Sequence, residues 1–162
     1  MIQTYENHEE TDIVIGQIGR DVHGEWKVFP THEEIKRDEV VTLERNPEIL
    51  QSIGPGGKLF SAKFVSLRFD EDVVFCEEHT FMVRAFSKAR DINLMSIIAY
   101  GYNEREGSVT DRRADTFLPY MEDAMKVRQR VMELLLLMNE KIYYSYRMDN
   151  LIVSYLIQAH WF

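Results

Sequence analysis

The segment Cys76-Glu77-Glu78-His79 contains the residue types that catalysis and metal binding use most often. A thiolate, a carboxylate and an imidazole can each ligate zinc, and a carboxylate beside an imidazole can move a proton. The β-branched and aromatic content of residues 73–86 predicts a long strand here. On a strand, side chains three positions apart point to opposite faces, so Cys76 and His79 could share one ion only if the strand bulges. Glu77 and His79 would share a face, but two ligands make at best a partial site, and we expect no metal and no cofactor.

The run Gly54-Pro55-Gly56-Gly57-Lys58 has some of the composition of a phosphate-binding loop. Such a loop needs a Gly, four residues, then Gly-Lys-Ser/Thr and a following helix whose first amides face the phosphate. Here position 52 is Ser, Leu59 follows Lys58, and the next residues favour a strand. The sequence therefore predicts a flexible turn at this position.

Nucleophilic catalysis needs a Ser or Cys beside a base, on a strained turn in the hydrolase case. The sequence has no Gly-x-Ser-x-Gly motif, and Cys76 would lie in the middle of a strand as a small core residue. We therefore expect no catalytic residues and no enzyme. An alternative stays open, in which a pocket between the sheet and a long helix, near Glu77 and His79, binds a small molecule or catalyses a reaction.

Large aromatic side chains are concentrated near the carboxyl end. They are Tyr143, Tyr144, Tyr146, Tyr155, Trp161 and Phe162. Tyr and Trp are enriched at interface hot spots because each covers a large area with few rotatable bonds. Burying such a ring gains about 1.5–3 kcal/mol, so another surface should cover those that the chain cannot bury itself. We expect an interface here, with the domain's own core as the alternative.

A small basic group, Arg112 and Arg113 with Arg105, lies in the polar stretch 103–115. This stretch predicts a long exposed loop. The arginines could contact the acidic first third of another copy, which would give a head-to-tail ring or filament. The alternative is a solvated loop whose own acidic residues neutralise them.

The charge distribution argues against direct nucleic-acid binding. Residues 1–50 hold 12 acidic and 5 basic side chains, whereas residues 51–162 hold 15 and 14. Nucleic-acid binding depends on Lys and Arg that neutralise phosphates. The acidic third could steer a basic protein partner or could simply keep the domain soluble. The one cysteine indicates the cytoplasm or a virion, and we expect neither a signal peptide nor a membrane span.

The elements that position these residues follow from periodicity and turn residues. We predict strands at 13–18, 25–29, 40–43, 59–69, 73–86 and 89–102, short helices after Thr31 and from Asn46 to Ile53, a long amphipathic helix at about 119–140, and a C-terminal aromatic hairpin. A helix is the alternative for 89–102 and for the hairpin. Pro119 suits the first turn of the long helix.

Together these features predict one α+β domain spanning 1–162, with a largely antiparallel sheet and a loose lead-in at 1–11. The function that they predict is a non-enzymatic interaction or assembly subunit. Such acidic chains without a site motif are frequent among phage and other viral structural or inhibitor proteins. We expect a protein partner, either a second copy or a basic surface, in a homo-oligomer or a larger assembly.

Overall fold

The computed structural model of the chain describes residues 1–7, 10–103 and 113–161. The elements are α1 (Ile2–Asn7), β1 (Thr11–Val22), β2 (Glu25–Val28), β3 (Glu39–Val41), β4 (Lys58–Phe60), α2 (His79–Lys88), β5 (Asp91–Gly101), α3 (Arg113–Leu134) and α4 (Met138–Trp161). Short 3₁₀ helices lie at Pro30–His32, Pro47–Ser52 and Ala62–Phe64. The fold is α+β, as the sequence predicts. The lead-in is not wholly loose, because α1 forms within it.

In the described residues the strands form one mixed sheet in the order β2-β1-β5-β3, with β4 also paired to β1. The central strands β1 and β5 are parallel, and the other three pairings are antiparallel. β4 pairs with Ile13–Ile15 and β2 with Gly19–Val22, so the two short strands follow one another along the same edge of β1. Parallel neighbours need a long crossover, and residues 29–90, which contain α2, provide it.

The core lies between this sheet and the helices. Ile13 and Ile15 of β1 and Ile92 and Leu94 of β5 are buried in one apolar cluster with side chains from α2, α3 and α4. α3 contributes buried residues at helical spacing, Ala124, Val127 and Val131. This spacing places one face of the helix against the core.

The predicted pair of long strands at 59–69 and 73–86 is wrong. Only the first residues of this region form a strand, and the chain then makes a 3₁₀ turn and an irregular segment before α2. Six residues of α2 are buried, and four of them, His79, Met82, Val83 and Phe86, recur at steps of three, one and three. That spacing places them on one helix face, which tertiary packing favours over the local strand propensity.

The predicted helix at 119–140 is two helices. α3 begins at Arg113, so Pro119 lies inside the helix and not in its first turn. α3 ends at Leu134 although no Gly or Pro follows. The Glu140 carboxylate accepts hydrogen bonds from the amides of Leu136 (3.2 Å) and Leu137 (3.1 Å), which satisfies donors at the start of α4.

The predicted C-terminal hairpin is also wrong, because the helical alternative is the one that forms. In α4, Tyr144, Met148 and Tyr155 are buried and Leu151 is half-buried, at steps of four, three and four. This is the period of one helix face. Most of the predicted 103–115 loop lies outside the described residues, and the last three of its residues begin α3.

Candidate functional site

A strained turn at Cys76 positions the start of α2. Cys76 adopts a left-handed backbone conformation (φ 62°) and is buried. Its carbonyl accepts the His79 amide at 3.0 Å, so the chain reverses just before the helix. A non-glycine residue in this conformation costs about 1–3 kcal/mol, and such strain is concentrated at functional sites. Burial raises the pKa of the Cys76 thiol, which makes it a poor nucleophile and leaves its neighbours as the candidates.

Glu78 projects its carboxylate from this turn. Its side chain is 21% exposed, and its Oε1 lies 3.8 Å from His79 Nε2. The carboxylate does not cap α2. Burial raises the pKa of Glu78, and the charge of Glu77 raises it further. A carboxylate with these properties is a stronger base than an exposed one, provided that it is ionised.

His79 connects this carboxylate to α4. The imidazole is 2% exposed, and its Nδ1 lies 3.1 Å from the Tyr144 hydroxyl. Burial lowers the pKa of His79 to about 3, with a contribution from the charge of Arg147, while burial raises the pKa of Tyr144. Both groups are therefore neutral at physiological pH. A phenol that donates to Nδ1 leaves the imidazole proton on Nε2, facing Glu78.

Two cations, Lys58 and Arg147, face the same carboxylate. Lys58 Nζ donates to the carbonyls of Gly54 (2.5 Å) and Gly56 (3.4 Å), and burial lowers its pKa to about 7 against the opposing effect of Glu78. Burial also lowers the pKa of Arg147, and its Nε is buried without a hydrogen-bond partner among the described residues. Lys58, Glu78, His79, Tyr144 and Arg147 are called the polar cluster below.

His32 lies at the side of the polar cluster. It is 2% exposed, and its Nδ1 is 3.1 Å from the Thr31 hydroxyl. Burial lowers its pKa to about 3, and the charges of Lys58 and Arg147 lower it further. Its Nε2 is buried with no hydrogen-bond partner in the part of the chain that the structure describes.

An open cleft of about 730 Å³ lies beside the polar cluster. One wall comes from the segments around Thr31 and Gln51, and the other from Tyr143, Tyr146 and Arg147 of α4. Its volume falls in the range of small-molecule sites. Arg147 therefore belongs both to the cleft wall and to the polar cluster.

The residues predicted as an interface are dispersed by the helix. Tyr144 and Tyr155 are buried in the chain's own core, which is the alternative that the sequence left open, whereas Tyr143 and Tyr146 are 39% and 62% exposed. Tyr144 and Tyr155 are eleven residues, or about three helical turns, apart and lie on the face of α4 that packs against the core. Tyr143 and Tyr146 are three residues apart and lie on the exposed face. Two of the remaining predicted residues, Arg112 and Phe162, lie outside the described residues. Arg113 and Trp161 lie in helices, but only their backbone is among what the structure describes. An interface role for the exposed residues stays a prediction.

The predicted pairing of Glu77 with His79 required a strand at residues 73–86, whereas in the structure His79 begins α2. The carboxylate of Glu78 lies 3.8 Å from the His79 imidazole, and the charges of Lys58 and Arg147 both lower its pKa. Sequence reasoning missed Lys58 and Arg147. The Gly-rich turn before Lys58 was a usable signal, whereas nothing in the local sequence marks Arg147.

Among the described residues, no group of three or more His, Cys, Asp or Glu side chains is arranged to hold one metal ion. None of the helices described is both long and apolar enough to cross a bilayer.

The chain is similar to bacterial proteins with an enzyme name. It is 40% identical over 150 residues to "Putative glycosyltransferase TagX" of Staphylococcus aureus strains MSSA476, COL and N315. The match covers 93% of this chain and 42% of each relative, so the chain spans about two-fifths of their length. No family model matches the chain.

These relatives contradict the predicted function. A non-enzymatic assembly subunit, or a viral structural or inhibitor-type protein, does not fit a chain this similar to proteins named as glycosyltransferases of a bacterium. The expectation that the chain is not an enzyme is wrong for the same reason. The alternative, an enzymatic or small-molecule-binding α+β domain, agrees with the relatives better.

Proposed function

We propose that the chain acts in glycosyl transfer and supplies the base that activates the acceptor. The observation that supports this most directly is Glu78, a partly buried carboxylate with a raised pKa that senses the charge of the cleft residue Arg147, in a chain 40% identical to proteins with a glycosyltransferase name. Perturbed carboxylates of this kind are typical of catalytic sites.

The chemistry needs one proton acceptor. The acceptor hydroxyl loses its proton to the Glu78 carboxylate while its oxygen forms a bond to the anomeric carbon of an activated sugar. The bond from that carbon to the leaving group breaks, and the leaving group departs with the bonding electrons. A positioned carboxylate accelerates such a step by about 10²–10⁴-fold.

His79 and Tyr144 act as positioning residues. Both are buried, neutral and hydrogen-bonded to one another, so the imidazole presents a fixed edge to Glu78 at 3.8 Å. A dipole held in place favours one orientation of the carboxylate without adding charge. The strained turn at Cys76 fixes the backbone on the other side.

Because the chain spans 42% of each relative, transfer should be measured in two contexts. One is the chain itself with a panel of nucleotide-activated sugars and hydroxyl acceptors. The other is a chimaera in which this chain replaces the matching segment of the S. aureus relative. The chimaera provides whatever the rest of the relative contributes.

Glu78→Gln should reduce transfer by about 10²–10⁴-fold, because the amide cannot accept the proton. The matched control is Glu77→Gln, which makes the same charge change one residue away and should alter the rate by only a few-fold. Initial rates at saturating substrate, with thermal unfolding as a check of folding, make the measurement. A Glu78→Gln variant that transfers at the unmodified rate would refute the proposed base.

The partner and the location also stay proposals. A second copy or a basic protein surface could cover the exposed Tyr143 and Tyr146, and the mass in solution, from light scattering with chromatography, tests self-association. The single cysteine supports a reducing, cytoplasmic location.

A further inference from the structure

Neither cation of the polar cluster is ion-paired within the part of the chain that the structure describes. Lys58 and Arg147 each have no carboxylate within 4 Å among the described residues, and Glu78 is the carboxylate that both feel. Elsewhere in the described chain, cations near buried carboxylates are paired, as Lys63 and Arg90 are with Asp12. A charge taken out of water is costly unless a partner compensates for it. Arg147 therefore has no anion bound to it among the described residues, whereas the Lys58 ammonium is held by the carbonyls of Gly54 and Gly56.

Both cations lie near the same two side chains. The charges of Lys58 and Arg147 both act on His32 and both act on Glu78. They come from different elements, Lys58 from β4 and Arg147 from α4. Two cations from separate elements that lie near one site can together bind a group with more than one negative charge.

Two buried nitrogen atoms on or near these cations could donate or accept a further hydrogen bond. Arg147 Nε and His32 Nε2 are both buried and form no hydrogen bond within the described ranges. Arg147 also lines the cleft, which gives a ligand access to it. The cleft wall further includes Glu34 and Glu48, whose carboxylates can accept hydrogen bonds from sugar hydroxyls. A ligand with a phosphate at one end and hydroxyls at the other matches this arrangement.

We propose that Lys58 and Arg147 form a subsite for the phosphate of a phosphorylated sugar, and that this subsite holds the sugar beside Glu78. The inference rests on the proposed function, because it identifies the class of acceptor for the same base. A guanidinium binds two phosphate oxygens at once, and an ammonium adds a point charge, so this pair favours phosphate over a single carboxylate. Glu78 then faces a hydroxyl of the sugar and not the phosphate, whose charge would repel it.

Isothermal titration of the full chain tests this with glucose 6-phosphate as the probe. Glucose, inorganic phosphate and uridine diphosphate are the comparison ligands. We expect glucose 6-phosphate to bind more tightly than either glucose or phosphate alone. Lys58→Met and Arg147→Met should each weaken it by about ten- to a hundredfold, the range for a hydrogen bond to a charged group.

Matched controls separate this subsite from general charge effects. Lys36→Met and Arg84→Met remove the same charges from exposed positions and should leave the affinity unchanged. Arg147→Lys should recover part of the loss, because it restores the charge without the planar fork. Thermal unfolding shows which variants are folded, and Arg147→Lys keeps the test decisive if Arg147→Met does not fold.

Each other outcome overturns the subsite. The proposal fails if glucose 6-phosphate does not bind, or if it binds equally well to the folded Lys58→Met and Arg147→Met variants. Binding of uridine diphosphate alone, lost in those variants, would assign the cations to a nucleotide. Glu77→Gln, which lies outside the polar cluster, should bind glucose 6-phosphate normally. A wrong subsite with a correct base therefore gives lost transfer in Glu78→Gln without any sugar phosphate binding, and the two failures are distinguishable.

Discussion

Two buried charged regions of this molecule use the same residue types in opposite ways. The first, at the start of β1, centres on Asp12, whose side chain is 3% exposed. Its carboxylate contacts the Lys63 ammonium, accepts the Arg90 amide at 2.7 Å and lies 3.6 Å from Arg90 Nε. The second is the polar cluster, in which Glu78 faces two cations without an ion pair to either within 4 Å.

The pKa values of Asp12 and Glu78 are shifted in opposite directions for this reason. Burial alone would raise the pKa of Asp12, but the hydrogen bonds and charges of Lys63 and Arg90 hold it below its usual value. Burial raises the pKa of Glu78, and the charges of Arg147 and Lys58 lower it too little to reverse the effect. A satisfied cluster stabilises the fold, whereas an unsatisfied one is suited to binding a ligand that completes it.

The largest expected contrast is in stability. Asp12→Ala leaves Lys63 and Arg90 beside an empty position and should lower the free energy of unfolding by about 3–5 kcal/mol, as expected when one partner of a buried pair is removed. Arg147→Met removes a partly buried cation that has no carboxylate within 4 Å among the described residues, and it should be neutral or stabilising because an unpaired buried charge is itself costly. Urea unfolding at pH 7 measures both variants. Equal destabilisation by the two substitutions would abolish the distinction between the clusters.

Acid should destabilise the protein through the histidines of the second region. His32 and His79 have pKa values of about 3 in the folded state, against 6.5 for the ordinary side chain. Between these values the unfolded chain binds protons that the native chain does not, so stability falls as the pH drops below about 6.5. Each histidine contributes a slope of at most about 1.4 kcal/mol per pH unit.

Urea unfolding between pH 6.5 and 4.5 measures this slope before most carboxylates titrate. His79→Gln should reduce the slope by the share of one histidine. His23→Gln, at an exposed position in the β1–β2 turn, is the control and should leave the slope unchanged. If His79→Gln keeps the full slope, the imidazole is protonated in the native state, and the neutral character assigned to this region is wrong.

The sheet could be predicted from sequence largely because its strands show local signals. The β-branched run in β1, the turn before Trp26 and the largely apolar stretch from Met95 to Tyr100 indicate strands without tertiary information. What the sequence did not predict is the parallel pairing of β1 with β5, because register depends on the crossover between them. Pairing over such a separation has no local signature.

The site was harder to predict because its position depends on a helix that resembles a strand. Phe81 and Val83 have high strand propensity, and they outweighed the three-residue step from His79 to Met82. Glu78 was noted as a titratable residue, but its partners come from β4 and α4, far away in the sequence. Only the fold brings Lys58 and Arg147 to it, so no spacing rule could have named the cluster.

The smallest expected effect tests whether His79 is held in place by Tyr144. Tyr144→Phe removes the hydroxyl 3.1 Å from Nδ1 and should cost about 1 kcal/mol of stability, the net value of one hydrogen bond. Tyr146→Phe, at a position 62% exposed, is the matched control and should cost almost nothing. If His79 positions Glu78, Tyr144→Phe also lowers the transfer rate and shifts its acidic limb, since a freely rotating imidazole no longer presents one edge to the carboxylate. A variant that loses stability but keeps both the rate and the pH profile would show that this hydrogen bond only stabilises the fold. His79 and Tyr144 would then play no part in positioning Glu78.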